Sequence, residues 1–446
     1  MVIRCRLAAM GLLAALCLGM THPVPALDSP IRSVAPDTLT TTYAVDGVRV
    51  IHRRTTVSTV VANVYLLGGV RSAPAGLSGI ENFLLQISER GTARYSRDAL
   101  RRAMARTGAE FVVEPREDWT MVGVRTTLAE LDSAWGILAE RVTRPRLDSA
   151  DVEFVRAQLL AGIRQRQDSP DALLNYLADS VAYDGAPYAL SPVGTEQSLA
   201  RISRADLAGF ASASMVRSRL LLVVVGNVDR TRVEHLVATA FGGLPMGNYR
   251  WTIPDTLGER DRDAVIVPRV LPTNYLQGYF RGPPANSTDA AALRVTAAVL
   301  SGRLFGEIRS RRNLTYAVSA NFRDRALTSV GLYVTTTVPD SVLTIMAGEL
   351  HTLQMIEIPT AFLRPVIQQF ITEYFLDNET STAQADFLAR ALLYRGDVSA
   401  GDRFVAELRA VSGADIRRVA NRYLRNARWA YIGDPSGISR DRLLRF

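Results

Sequence analysis

Ser203-Arg204-Ala205-Asp206-Leu207 opens a helical run that leads to Ser218-Arg219, then Leu220 to Val225, then Gly226-Asn227. Ser412-Gly413-Ala414-Asp415-Ile416 leads in the same way to Ala427-Arg428, then Trp429 to Ile432, then Gly433-Asp434. Ser203/Ser412, Asp206/Asp415 and Arg219/Arg428 all keep one offset of 209 residues. In each copy a serine with an acid three residues on is a capping-box variant, satisfying the first free N–H groups of a helix. The helix feeds an apolar run of strand length that stops at glycine. One S-x-x-D before an apolar run is a common pattern. Two at a fixed offset, each closing its half of the chain, predict a duplicated domain.

The join between the copies falls in Gly242 to Asp263, with Gly243, Pro245, Gly247, Pro254 and Gly258 and the charged run Glu259 to Asp263. The predicted organisation is residues 1–26 apart from the fold, a first domain over 27–250 and a second over 251–446. Ala62–Leu67 and Val330–Thr335 alternate as strands. Asp98–Arg106, Asp148–Gln165 and Pro365–Leu376 repeat at 3.6 residues as helices, the last with proline in its first turn. Hairpin-like strand pairs mix with helices without regular βαβ alternation, so the class is α+β.

The 446 residues are 48% hydrophobic, with 31 Gly and 20 Pro, which excludes a disordered, collagenous or coiled-coil chain. The formal charge is +8, and all 52 cationic residues are arginine. They are scattered among 44 acids, a mixed-charge surface and not a nucleic-acid footprint. Residues 1–26 read as a cleaved secretory signal: Arg4 and Arg6, then an uncharged run from Leu7 to Met20, then Val24-Pro25-Ala26. The run is shorter than the roughly 20 residues of a membrane span, which weighs against an uncleaved anchor. Leu16 before Cys17 is too bulky for a lipoprotein site. Cleavage near Ala26 predicts a periplasmic or secreted protein. Both cysteines, Cys5 and Cys17, lie in this segment, so the mature chain has no thiol for catalysis, disulfides or metal binding.

Beyond the signal the histidines are His52, His235 and His351, no two of them close. His235 follows Glu234 on an amphipathic helix, and a lone histidine there reads as functionless. No G-x-S-x-G, P-loop, dinucleotide-binding glycine pattern or H-E-x-x-H is present.

Several segments carry a family resemblance. Gly76-Leu77-Ser78 leads a helix closed by Gly91-Thr92; Thr107-Gly108-Ala109 ends the next, and Asp118-Trp119-Thr120 opens a strand beyond it. Pro187-Tyr188 precedes Pro192-Val193-Gly194-Thr195-Glu196-Gln197-Ser198-Leu199, and Leu220 runs to Asp229. Ser301-Gly302-Arg303-Leu304-Phe305-Gly306-Glu307-Ile308-Arg309 runs into Leu314-Thr315-Tyr316. In this order they resemble the pitrilysin/insulinase-type zinc metallopeptidases, in the two-domain branch that includes the mitochondrial processing peptidase. The resemblance covers nearly the whole mature chain. It implies two similar domains, each a mostly antiparallel sheet with helices packed on one face, as in half of a clamshell.

Active members carry an inverted H-x-x-E-H motif: two histidines on one helical face grip zinc, and the glutamate takes a proton from the metal-bound water. Counted back from Gly91-Thr92, the matching positions are Asn82, Leu85 and Gln86; the family's distant glutamate matches Gly162, 76 residues beyond Gln86. An amide is a weak ligand, leucine is no base and glycine offers nothing, so the resemblance implies no zinc in this chain. Glu81 and Glu89 read as ordinary helix-surface acids. In the second half the family places an arginine and a tyrosine seven residues apart, reaching the scissile peptide. Arg309 and Tyr316 match them. The arginine supplies fixed charge, and the phenol donates toward the carbonyl as it becomes an oxyanion. The bland reading makes Arg309 a helix-surface residue and Tyr316 a packing aromatic. Arg311 and Arg312 read as solvated neighbours.

Together these imply a non-catalytic, substrate-positioning subunit of a heterodimeric exported peptidase for unfolded peptides. A partner with an intact motif would bring the zinc. The glycine-rich loop of the mitochondrial non-catalytic subunit is not visible, so presequence recognition is not implied. The rival is a structural or binding protein without proteolytic role, comparable with core subunits of respiratory complexes. A lone enzyme with another site lacks any second catalytic constellation.

Overall fold

The computed structural model describes residues 39–255 and 261–446; the predicted signal and residues 256–260 of the predicted join lie outside the described residues. The first sheet contains β1 (Thr40–Val45), β2 (Val48–Arg54), β3 (Thr59–Leu67), β4 (Glu110–Pro115), β5 (Trp119–Thr127) and β6 (Leu220–Gly226), in the order β1-β2-β6-β3-β5-β4. The second contains β7 (Asp263–Pro268), β8 (Asn274–Pro284), β9 (Val318–Arg323), β10 (Leu327–Thr336) and β11 (Arg428–Gly433), in the order β7-β11-β8-β10-β9. Among the described residues only β2/β6 and β7/β11 run parallel. Without β1 the two orders coincide, and the parallel pair occupies the same place in each. The α+β class with two mostly antiparallel sheets is as expected.

In the first half the helices are α1 (Ile80–Ile87), α2 (Arg97–Thr107), α3 (Leu131–Thr143), α4 (Ser149–Asp168), α5 (Pro170–Ala182), α6 (Glu196–Arg201), α7 (Arg204–Ser214) and α8 (Arg230–Phe241). The second half has α9 (Asp289–Leu304), α10 (Pro339–Met355), α11 (Thr360–Asp377), α12 (Ser381–Arg395), α13 (Ala400–Arg409), α14 (Gly413–Tyr423) and α15 (Arg440–Leu443). Both capping boxes form. Ser203 Oγ accepts from Asp206 N–H, and the Asp206 carboxylate accepts from Ser203 N–H at 2.8 Å. Ser412 and Asp415 repeat this at 3.2 and 3.1 Å, so α7 and α14 feed β6 and β11 in the same way.

Strand periodicity explains how the layers close. On β3, Val60, Ala62, Val64 and Leu66 face the first half's own helices, while Val61, Tyr65 and Leu67 face the opposite side. That second face is covered by Ala385, Leu388, Ala389 and Leu393 of α12, a helix from the other half. In return α5 lays Leu174, Ala178 and Ala182 against Tyr279, Ala430 and Ile432 of the second sheet. Each half's own helices lie on one face, and the other face is closed by a helix lent across. Burial on both faces is why Leu220–Val225 reads as an unbroken apolar run. Leu388 and Leu393, nearly fully buried here, contribute about 1.5–3 kcal/mol each.

One helix start differs from expectation. Pro365 lies inside α11, which begins at Thr360, and not in its first turn. Both Pro365 and Ala361 are exposed, so the Ala361 carbonyl that loses its helical donor is open to solvent.

Candidate functional site

Helix α1 is set by a close approach of two glycines. Gly79, its N-cap, has φ +84°, and Gly194 has φ +85°. A Cβ on Gly79 would sit 2.6 Å from Gly194 Cα, so only glycine lets the start of α1 meet the Val193–Gly194 turn. From there Ile80, Phe83, Leu84, Leu85 and Ile87 all enter the first-half core.

Asn82 is buried, and Gln86, one turn on, is half-buried. The Gln86 amide nitrogen donates to Asn82 Oδ1 at 3.5 Å, so the two side chains do share one face as their spacing predicts. Leu85 is 1% exposed, within the core. Gly162 lies on α4, which packs beside α1, and a Cβ there would meet nothing within 4 Å. This set does not fit zinc. Two neutral amides satisfy each other, the base position is apolar and the fourth position has no side chain. Among the described residues, no three His, Cys, Asp or Glu side chains group as metal ligands.

Of the two acids of this region, Glu81 is buried, whereas Glu89 is exposed as expected. Glu81 is 7% exposed and pairs with Arg219, itself 2% exposed, at 2.5 Å; Arg219 Nε also donates to the Leu67 carbonyl. Glu89 pairs with the buried Arg141 at 2.7 Å. The helix face alone marked both as solvated; the buried Arg219 claims Glu81, while Glu89 stays at the surface and reaches Arg141 from there. A paired buried charge such as Glu81–Arg219 is costly to break.

Arg309 lies on Phe305–Arg311, a π-helical extension of α9, and Tyr316 stands eight residues after Ile308 just before β9. Wide i→i+5 turns are rare and recur at functional sites. The Arg309 guanidinium lies 4.9 Å from the Tyr316 ring centroid and donates to the Tyr316 carbonyl. Tyr316 is 73% exposed, so it is not a packing aromatic. Its hydroxyl has no partner among the described residues. Arg311 and Arg312 are not free neighbours: both pair with Glu307, and Arg312 also donates to the Glu307 carbonyl. No hydrogen bond, ion pair or ring contact joins Asn82 or Gln86 to Arg309 or Tyr316 among the described residues.

A second polar assembly, not foreseen, ties the halves together. Asp118, 2% exposed, accepts from the Tyr188 and Tyr394 hydroxyls and from Ala326 N–H at 2.9 Å. Burial and the Asp118 charge push both phenols above their ordinary range. On α5, Asp179 pairs with Arg323 and Arg325, and Arg325 also reaches Glu117 at 2.7 Å. Burial alone would raise Asp179, but the two guanidinium groups outweigh it and hold the carboxyl below 3.8. Glu117, Asp118, Arg323, Arg325 and Tyr394 border a cleft of about 600 Å³ that also meets Glu114, Arg116 and Arg390. Arg323-Asp324-Arg325 was a visible charge cluster, yet nothing local indicated its partners.

Residues 49–196 match the family described as Insulinase (Peptidase family M16), and residues 201–369 match the Peptidase M16 inactive domain. Cytochrome b-c1 complex subunit 1 of Caenorhabditis elegans is 24% identical over 446 residues, covering 92% of this chain and 93% of its own length. The mitochondrial-processing peptidase subunit beta of Lentinula edodes is 24% identical over 394 residues, covering 82% and 83%. An uncharacterised zinc protease of Mycobacterium leprae is 26% identical over 266 residues, covering 56% and 58%. In three dimensions the chain is similar to the peptidase M16 inactive domain from Pseudomonas fluorescens, with TM-score 0.81, 17% identity and coverage of 89% and 98%. A protease from Helicobacter pylori has the same fold at TM-score 0.80, 18% identity and coverage of 88% and 99%.

Proposed function

This chain belongs to the pitrilysin/insulinase-type peptidase family, M16, as a member without the zinc motif, and on that basis we propose that it is the substrate-positioning subunit of a heterodimeric, exported zinc metallopeptidase acting on unfolded peptides. It is a non-catalytic, peptidase-like protein; the zinc and the general base would come from a partner chain carrying an intact H-x-x-E-H motif. The observation that carries this reading is the state of Arg309 and Tyr316. They are stacked together, and the phenol is exposed with its hydroxyl free. A hydroxyl beside a fixed guanidinium suits an oxyanion that forms only in the transition state. The proposed setting, periplasmic or secreted, rests on the signal-like first segment.

A second reading is supported by the long match to a cytochrome b-c1 subunit: a structural or binding protein without proteolytic role. Affinity purification of the native protein distinguishes them. Co-purification of a relative with the intact motif, and peptide cleavage by the pair but by neither chain alone, supports the peptidase subunit. A stable complex without such a relative, inert toward peptides, supports the structural protein.

A further inference from the structure

Helix α2 turns an arginine face to solvent. Arg97, Arg101, Arg102 and Arg106 are all exposed, and Arg94 in the preceding turn joins them, while Leu100, Ala103 and Thr107 face inward. At 3.6 residues per turn the four helical arginines spread over the whole outward half, with Asp98 and Ala105 between them. Asp98 reaches Arg101 at 3.8 Å, and both are exposed. Acids on the neighbouring elements are already taken: Glu89 by Arg141, Asp132 by Arg232, Glu140 by Arg144 and Glu110 by Arg125. Arg94, Arg97, Arg102 and Arg106 make no ion pair among the described residues. Like charges one turn apart repel, so a bound anion relieves this face.

We propose that α2 is a docking surface for acidic, extended polypeptide; that such polypeptide is a substrate rests on the subunit reading above. The spacing favours this occupant. Arg97/Arg101 and Arg102/Arg106 are each four residues apart, about 6 Å along the helix axis. Alternate side chains of an extended chain lie on one side about 6.6 Å apart. Carboxylates at positions i and i+2 therefore meet successive guanidinium groups, which suit carboxylate forks. An anionic bilayer is the weaker match, because the large apolar side chains nearest these arginines, Tyr95 and Met104, are half-buried against Leu100, Ala103 and Ile137. The long-range effect is steering: a patch of net positive charge raises the local concentration of an oppositely charged chain.

The test is fluorescence anisotropy on the mature chain with a labelled peptide of alternating Glu and Ser, and its Gln-for-Glu counterpart. At about 50 mM salt the Glu peptide is expected to bind at least tenfold more tightly, with the difference largely gone at about 500 mM. Replacing Arg97, Arg101, Arg102 and Arg106 by Gln is expected to weaken the Glu peptide at least about fivefold, whereas Lys at the same positions retains most of the binding. The control replaces Arg201, Arg250, Arg364 and Arg409, four exposed arginines elsewhere, and is expected to change it less than about twofold. Equal losses in both Gln sets would reduce the effect to net charge and overturn the proposal. So would α2-dependent binding to phosphatidylglycerol vesicles without preference for the Glu peptide. Neither partner nor cleavage enters this assay, so its failure is separate from failure of the subunit reading.

Discussion

Arg309 lays its guanidinium over the ring of Tyr316, 4.9 Å from the centroid, and donates to the carbonyl of that same residue. One side chain thus fixes both the ring and the backbone of the residue whose hydroxyl is free. The π-helical segment makes this possible by widening the end of α9 where Arg309 stands.

If the pair acts on a developing oxyanion, Tyr316→Phe lowers turnover of the reconstituted complex by about 10²–10³ with little change in KM. Arg309→Ala costs at least as much, since it removes the charge and releases the ring. Arg311→Ala, which touches only Glu307 on an exposed face, serves as the control and stays near wild type. Steady-state kinetics on an unstructured peptide, with assembly checked by gel filtration, decides it. Near-normal turnover in both test variants would support the structural protein instead.

The amide pair on α1 predicts a chain without tightly bound zinc, measurable by elemental analysis after dialysis. Combining Asn82→His, Gln86→His and Gly162→Glu is expected to create a site that binds about one zinc per chain, followed by cobalt absorbance. With Leu85 retained, that variant has metal but no base and stays inactive. Gly162→Ala alone is expected to stabilise the chain by about 0.5–1 kcal/mol, because it is a helix-interior glycine with open space at its Cβ. One tightly held zinc in the wild-type protein would contradict the first expectation.

Asp118 holds three donors, drawn from both halves of the chain. Asp118→Asn turns one acceptor into a donor and leaves buried donors unmatched, at about 1–3 kcal/mol for each. The melting temperature should fall by several degrees, and more than for Tyr394→Phe, which leaves the other two bonds in place. Differential scanning calorimetry would show it. A wild-type melt in Asp118→Asn would mean the seam is held by the apolar helix exchange and the Asp179 and Glu117 ion pairs without Asp118.

Acid sensitivity has a separate origin at His52. The ring is buried, with Nε2 unpartnered. Burial lowers its pKa from the ordinary 6.5, against the Val228 backbone hydrogen bond and Asp229, and with help from Arg54 and Arg230. The unfolded chain therefore takes up the proton first as the pH falls. Stability is full above about 6.5 and declines below it toward the folded-state value. Thermal melts between pH 7 and 5 should show this slope, and His52→Gln should flatten it. Asp179, held below 3.8, contributes only in a more acidic window, where its stabilisation is lost on protonation. An unchanged slope in His52→Gln would move the effect elsewhere.

Much of the fold was legible because it is written in local patterns. Ser203/Asp206 and Ser412/Asp415 announced helix starts that form as capping boxes, and the alternation in Ala62–Leu67 marked a strand with two different faces. Asn82, Leu85, Gln86 and Gly162 could be placed by counting within the family resemblance, and their chemistry follows from residue type. Pro365 misled because an exposed proline is tolerated inside a helix, and no neighbouring residue records that exposure.

By itself, then, the amino-acid sequence determined the repeated unit, the two mostly antiparallel layers and the absence of zinc ligands at the family positions. The repeated unit follows from side-chain identity and short-range periodicity, whereas the mostly antiparallel layers and the ligand positions followed from the family resemblance. Only the tertiary structure decided that α5 and α12 are exchanged, that Glu81 is buried against Arg219, and that Asp118 gathers Tyr188, Tyr394 and Ala326. It also decided that Arg309 stacks on Tyr316. Periodicity states which face of an element is apolar but not which distant element will cover it. A charge likewise reads as solvated until the fold removes its water and supplies a partner.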